Sequence, residues 1–231
     1  MENRQIHIVA FDVPFPANYG GVIDVFYRLK ALHELGVRIT LHCFEYGRGE
    51  QKELYKYADH IHYYKRKKKL LHAIDNVPFI VKSRTTKRLL ETLLKDNNPI
   101  LFEGLHCCSF LKHPLLKHRM KIVRTHNIEH DYYAALAKAN TGIKKQFYLS
   151  ESKKLKRYES ILKNANAILA IKASEADHFK QYTKSVQVLP ACTPQHPIST
   201  KINPKPYALF HGNLSVEENE KGAFWLINRV F

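Results

Sequence analysis

Residues 6–44 spell out one βαβ unit, and this pattern constrains the rest of the chain most strongly. Ile6–Phe11 (IHIVAF) is short, apolar and β-branched, as a buried strand should be. DVPFPANYGG follows, with two prolines and two glycines in ten residues, and reads as a turn-rich loop. Val22, Val25, Phe26, Leu29 and Leu32 then recur at steps of three and four, which predicts a helix closed by Gly36. Val37–Phe44 (VRITLHCF) is the second strand. The alternation continues, with strands expected at 59–64, 99–102, 121–124, 167–171 and 186–189, and helices at 86–95, 128–139, 143–162 and from Ser174. Asn127 is placed to cap the 128–139 helix, and Ser174 with Asp177 resembles a capping box. Such alternation predicts an α/β fold: a Rossmann-like, mostly parallel sheet with helices on both faces. Apolar residues make up 45% of the chain, enough for a real core.

Near residue 190 the texture changes. Five prolines fall between 190 and 206, so the expected organisation is a domain over 1–190, a Pro-rich linker over 191–206, and a further segment over 207–231. That segment reads as a strand (Tyr207–His211), a turn at 212–214 and a helix to Phe231, the beginning of a truncated second domain. Its apolar face (Phe224, Ile227 and Phe231, beside Trp225) is expected to seek cover, for instance by self-association.

The formal charge is +16, and residues 61–124 alone carry +11 of it. Such a block attracts nucleic acid, phosphorylated ligands or an anionic membrane face. It is densest at Lys65, Arg66, Lys67, Lys68 and Lys69, between Tyr63-Tyr64 and Leu70-Leu71, a composition suited to an anionic membrane surface. No named nucleic-acid motif accompanies it, so nucleic acid is the weaker reading. No apolar run approaches the roughly 18 residues of a membrane span. Cys43, Cys107, Cys108 and Cys192 form no CxxC pair, and MENRQIHIVAF has no signal-peptide anatomy. Both point to a cytoplasmic chain, with the basic run attaching it peripherally to the inner membrane face.

The candidate site residues gather at strand-to-helix junctions. Asn18, Gly20 and Gly21 precede the first helix, where free amides attract anions, although the loop is not GxGxxG. Arg124 ends a strand and His126 follows it, at the sheet edge where ligands bind and where histidine can move protons. Glu103 ends another strand with His106 close behind, a carboxylate–histidine pair of weak diagnostic value. Lys172 lies just past the sixth strand, 167–171. The fourteen histidines show no metal-ligand spacing, so the metal expectation is none.

Three segments, in order, resemble the family-four glycosyltransferases, which have two facing Rossmann-like domains (the GT-B fold). They are FDVPFPANYGGVIDVFYRLKALHELGVRITLHCF, VRTHNIEHDYYAALAKA and HGNLSVEENEKGAFWLINRVF. The resemblance implies transfer of a sugar from a nucleotide-sugar donor to a glycan or lipid-linked acceptor, with retention, without a metal and without a bound cofactor. It implies that Gly20 and Gly21 approach the donor phosphate or the acceptor, that His126 contacts the transferring sugar, and that Gly212 and Asn213 face the diphosphate. The family's basic residue and glutamate pair have no counterpart here, so an incomplete donor site is expected. Two other classes stay open: a non-catalytic module for a nucleotide or sugar phosphate, and a basic nucleic-acid-binding protein.

Overall fold

A computed structural model describes residues 4–67, 75–194, 207–212, 214 and 217–230. The chain divides into two compact units, residues 1–193 and 194–231.

The first unit is a seven-stranded sheet in the order β3-β2-β1-β4-β5-β6-β7, and every pairing in it is parallel. The strands are β1 (Gln5–Ala10), β2 (Arg38–Glu45), β3 (His60–Lys65), β4 (Ile100–Glu103), β5 (Lys121–Arg124), β6 (Ala167–Ala170) and β7 (Val186–Val188). The helices are α1 (Gly20–Glu34), α2 (Phe79–Lys82), α3 (Lys87–Leu93), α4 (Glu129–Ala139), α5 (Gly142–Tyr158) and α6 (Ala173–Phe179). The expected Rossmann-like α/β architecture is therefore present, and its sheet is wholly parallel.

The central strands have to be apolar on both faces, because crossover helices cover them. Ile8, Val9 and Ala10 of β1, Leu41 and Cys43 of β2, and Leu101 and Phe102 of β4 are all buried accordingly. Cys107 and Cys108 are buried free thiols, acting as small core residues. On α1, Val22, Val25, Phe26 and Leu29 face the core. Gly36 ends this helix at φ +74°, a left-handed conformation costly for other residues, with its amide on the His33 carbonyl.

β1 has β2 on one side and β4 on the other, so successive strands are laid down in opposite directions from it. The crevice at the carboxyl ends of β1 and β4 is where ligands bind in open sheets of this kind.

Several local expectations need correction. Ile128, not Asn127, occupies the N-cap of α4 and gives no side-chain cap. α6 begins at Ala173 with Lys172 at its N-cap, so Ser174 lies inside the first turn and cannot cap it. In the second unit α7 (Glu217–Arg229) forms, but among the described residues 207–211 pair with no strand. A segment builds a ladder only with a neighbouring strand, whatever its propensity. The Phe210 ring lies close to Gly222 instead, where an added methyl would meet it at 3.8 Å.

Candidate functional site

The carboxyl edge of the sheet holds a closed charge cluster. Glu103 and Arg124 are the last residues of β4 and β5 and are paired across the ladder. Asp24 and Arg28 lie one helical turn apart on α1, so they share a face and both point at this edge. Arg28 grips Glu103 with two donors, Nε to Oε1 at 3.1 Å and Nη2 to Oε2 at 2.9 Å. It also donates to both Asp24 oxygens at 3.0 Å. Arg124 Nε donates to Asp24 Oδ2 at 3.1 Å, and its Nη1 donates to the Ala170 and Leu189 carbonyls. The Cys192 amide completes Asp24 at 2.7 Å. Glu103 and Arg124 are 0% exposed. Charges so deeply buried persist only when paired, and here two guanidiniums balance two carboxylates. Burial alone would raise the Glu103 carboxyl, but Arg28 and His126 outweigh it and hold the group below its ordinary range. Asp24 is held low in the same way, by Arg28, the Cys192 amide and Arg124 against its burial.

His126 sits on this cluster. Its Nε2 is 3.0 Å from Glu103 Oε2, and its Nδ1 is 3.7 Å from Asp24 Oδ2. An ionised carboxylate can only accept, so Nε2 carries the hydrogen. Glu103 thereby fixes both the tautomer and the ring plane. The edge of Phe11 packs on the imidazole with ring centres 5.2 Å apart.

The expected pairing of Glu103 with His106 is not found. Gly104 turns the chain away at φ +74°, and an added Cβ there would meet His106 Nδ1 at 2.7 Å. His106 instead lies 3.8 Å from Glu129 Oε1. Glu129 is the more unusual group, because its Oε1 is buried without a hydrogen-bond partner. Burial, opposed by Arg84 and an Asn127 hydrogen bond and reinforced by Glu159 and Glu175, pushes its carboxyl up to about 8. Arg84 adds a third buried cation at this edge, with Nε on the Phe11 carbonyl at 2.7 Å.

The loop before α1 is shaped by Asp12, which accepts from the Val13 amide at 2.8 Å and the Tyr19 hydroxyl at 2.7 Å. Asn18 is exposed and accepts from Arg48 at 3.0 Å. The two glycines differ. A Cβ on Gly20 would meet nothing within 4 Å, whereas one on Gly21 would come within 2.8 Å of the Phe11 ring. Gly21→Ala must therefore displace the ring that packs on His126. We expect it to cost about 1–3 kcal/mol in urea unfolding, while Gly20→Ala stays within about 1 kcal/mol of the parent. Equal effects would contradict this reading of the loop.

The remaining candidates are dispersed. Lys172 is exposed and pairs with Glu175 at 3.4 Å rather than with the buried cluster. Lys65 and Lys67 are exposed, but Arg66 is not part of that surface. Its Nε donates to Ser83 at 3.1 Å and its guanidinium lies over Tyr46 at 4.7 Å, because the aromatic shelf beside β3 offers its planar group more contact than water does. Lys68 and Lys69 fall outside the described residues, as does Asn213. Gly212 belongs to the second unit, where an added Cβ would crowd Asn219 at 3.2 Å.

Asp24 and Arg28 were missed in the sequence. The available signal was an acid and a base four residues apart, each immediately before an apolar position of α1. Three histidines across β1–β3 were also not recognised as one assembly. His7, His42 and His62 stack at 5.2 and 5.3 Å, and His42 bridges His7 (2.9 Å) and Tyr64 (3.0 Å). Burial lowers all three, and His42 has both ring nitrogens engaged, so the assembly is a core network.

No family model matches the chain. It is 30% identical over 238 residues to an uncharacterized 44.6 kDa protein in the cps region of Klebsiella pneumoniae. That match covers 98% of this chain and 60% of the relative, so the chain spans well under two thirds of the relative's length. Among solved structures it is similar to Medicago truncatula UGT71G1 complexed with UDP-glucose, with a TM-score of 0.50 and 9% identity, over 88% of this chain and 55% of that one. At that identity the likeness speaks for the fold alone: the chain carries the Rossmann-like α/β architecture of a GT-B half.

Proposed function

We propose that this chain belongs to a glycosyltransferase that moves a sugar from a nucleotide-sugar donor to a glycan or lipid-linked acceptor, and that the edge around His126 is where the transferring sugar sits. The observation that carries the reading is a histidine at the switch-point edge, hydrogen-bonded to a fully buried carboxylate that two arginine donors also hold. The fold it shares with a protein solved with UDP-glucose supports the same reading.

The chemistry follows from charge. Breaking the donor's glycosidic bond leaves positive charge near the anomeric carbon and negative charge on the departing diphosphate. The amides at the start of α1 are unspent helix donors, and Gly20 puts no side chain in their way. We assign the diphosphate to them. His126, its Nε2 committed to Glu103, keeps Nδ1 for the sugar. By the same resemblance the transfer retains configuration and uses no metal.

In a longer form that carries a complete donor site, assayed for transfer from a sugar-labelled donor, His126→Ala should lower turnover about 10²-fold or more, the scale of one positioned proton-transfer or electrostatic group. Its Tm should stay close to the parent's. Unchanged kcat/KM with normal stability would remove His126 from the site.

A second reading, donor binding without turnover, draws on the closure of the same cluster, whose carboxylates are spent on arginines. Donor-dependent stabilisation with no sugar release under any acceptor would favour it.

We further propose peripheral attachment to an anionic cytoplasmic membrane face. No helix among the described residues is long and apolar enough to cross a bilayer. Lys65 and Lys67 are exposed, and each basic residue near such a surface contributes about 1 kcal/mol. Flotation with anionic vesicles should recover the chain at low salt and lose it at high salt, and Lys65→Glu/Lys67→Glu should weaken recovery. Equal recovery on neutral lipid would contradict it.

A further inference from the structure

A second cluster of chemically capable side chains lies away from His126. His130 in the first turn of α4, Glu159 just after α5 and His178 near the end of α6 each turn one ligand atom to a common point, all within 4.8 Å of one another. His130 Nδ1 is 3.3 Å from Glu159 Oε2, and His178 Nε2 is 2.9 Å from the same oxygen. We propose that these three residues bind one divalent transition-metal ion of the zinc class, a structural clasp joining α4, the turn after α5, and α6.

Four observations carry this. The first is geometric: ligands at about 2.0–2.1 Å in a tetrahedral zinc site lie about 3.3 Å from one another, and the two spacings to Glu159 Oε2, 3.3 Å from His130 and 2.9 Å from His178, are already within a few tenths of an ångström of that. The second is an unmet atom. His130 is 9% exposed, yet its Nδ1 makes no hydrogen bond although it lies 3.3 Å from Glu159 Oε2. A buried ring nitrogen left without a partner can take a cation as the neutral tautomer. Third, the outer contacts are those that orient metal ligands: Tyr182 donates to Glu159 Oε2 at 3.0 Å, and Asp131 lies 3.5 Å from the other ring nitrogen of His130. Fourth, one side of the cluster is open to solvent. The His178 side chain is 23% exposed, which leaves room for solvent as the fourth ligand.

Asp24, Glu103 and His126 also bring ligand atoms within 4.8 Å of one another but differ in charge. Arg28 and Arg124 already neutralise those carboxylates, so a divalent ion there would face two guanidiniums.

The test uses the whole chain, stripped with EDTA and titrated with Co²⁺ and then Zn²⁺. One Co²⁺ per chain should bind with the intense visible bands of a four-coordinate site, and Zn²⁺ should displace it. His178→Gln and Glu159→Gln should each weaken binding by about 100-fold or more, beyond the loss of an outer partner, and His126→Gln should leave it unchanged. Zn²⁺ should raise the Tm of the parent chain but not of His178→Gln, and this arm decides even if Glu159→Gln fails to fold. Absence of stoichiometric binding, or binding that survives His178→Gln, would overturn the proposal.

Discussion

Unfolding free energy should fall by roughly 3–5 kcal/mol between pH 4.5 and pH 8 through Glu129 alone. The folded chain holds this carboxyl protonated up to about 8, because burial and the nearby Glu159 and Glu175 disfavour its charge. In the unfolded chain it ionises near its ordinary value of 4.5. At 1.36 kcal/mol per pH unit, the contribution is fully present below the unfolded pKa, declines as pH rises, and levels off above the folded value. Asp24 and Glu103 act in the opposite sense, because their folded pKa values are depressed and their contribution is lost as pH falls through them. The comparison must therefore be with Glu129→Gln, which is neutral at every pH. Urea unfolding at pH 5 and pH 8.5 should show the variant gaining on the parent by several kcal/mol at the higher pH. A parent–variant difference independent of pH would refute the claim that Glu129 is buried as a neutral acid.

Arg28→Ala should destabilise the fold by about 3–5 kcal/mol, the cost of removing one member of a buried ion network. Arg28 supplies four hydrogen bonds, two to Glu103 and two to Asp24. Without it Glu103 keeps only His126, in a place where water does not reach. Neutralising the orphan should restore much of the loss, so Arg28→Met/Glu103→Gln is expected to be more stable than Arg28→Ala. A cost below about 1 kcal/mol for Arg28→Ala would show that the network contributes little.

Strand and helix positions were legible where they depended on neighbours in sequence. β-branched runs and punctuating glycines such as Gly36 placed β1, α1 and β2 directly. Residues 207–211 failed because a strand is defined by its partner, and no partner strand is present among the described residues of that unit. The site was legible as isolated points. Glu103, Arg124 and His126 each stand at a strand end, but their mutual contacts are set by the register of β4 with β5. Asp24 and Arg28 were hidden because apolar periodicity marks the buried face of a helix by its hydrophobic members and passes over charges that are buried in pairs. Arg66 was read as surface from its lysine neighbours, although a planar guanidinium beside Tyr46 gains by turning inward. His130, Glu159 and His178 come from three separate elements, and no spacing along the chain announces them.

The central claim is that His126 meets the sugar of a nucleotide-sugar donor. The most direct measurement is a ¹⁵N-histidine NMR titration of this chain with nucleotide-sugars at millimolar concentration, the His126 ring signals being assigned by their loss in His126→Gln. The account predicts that a donor shifts the His126 Nδ1 signal, leaves Nε2 protonated by its bond to Glu103, and does not disturb the buried His7 and His42. A His126 signal that no nucleotide-sugar moves, even when other resonances show that the donor is bound, would contradict it.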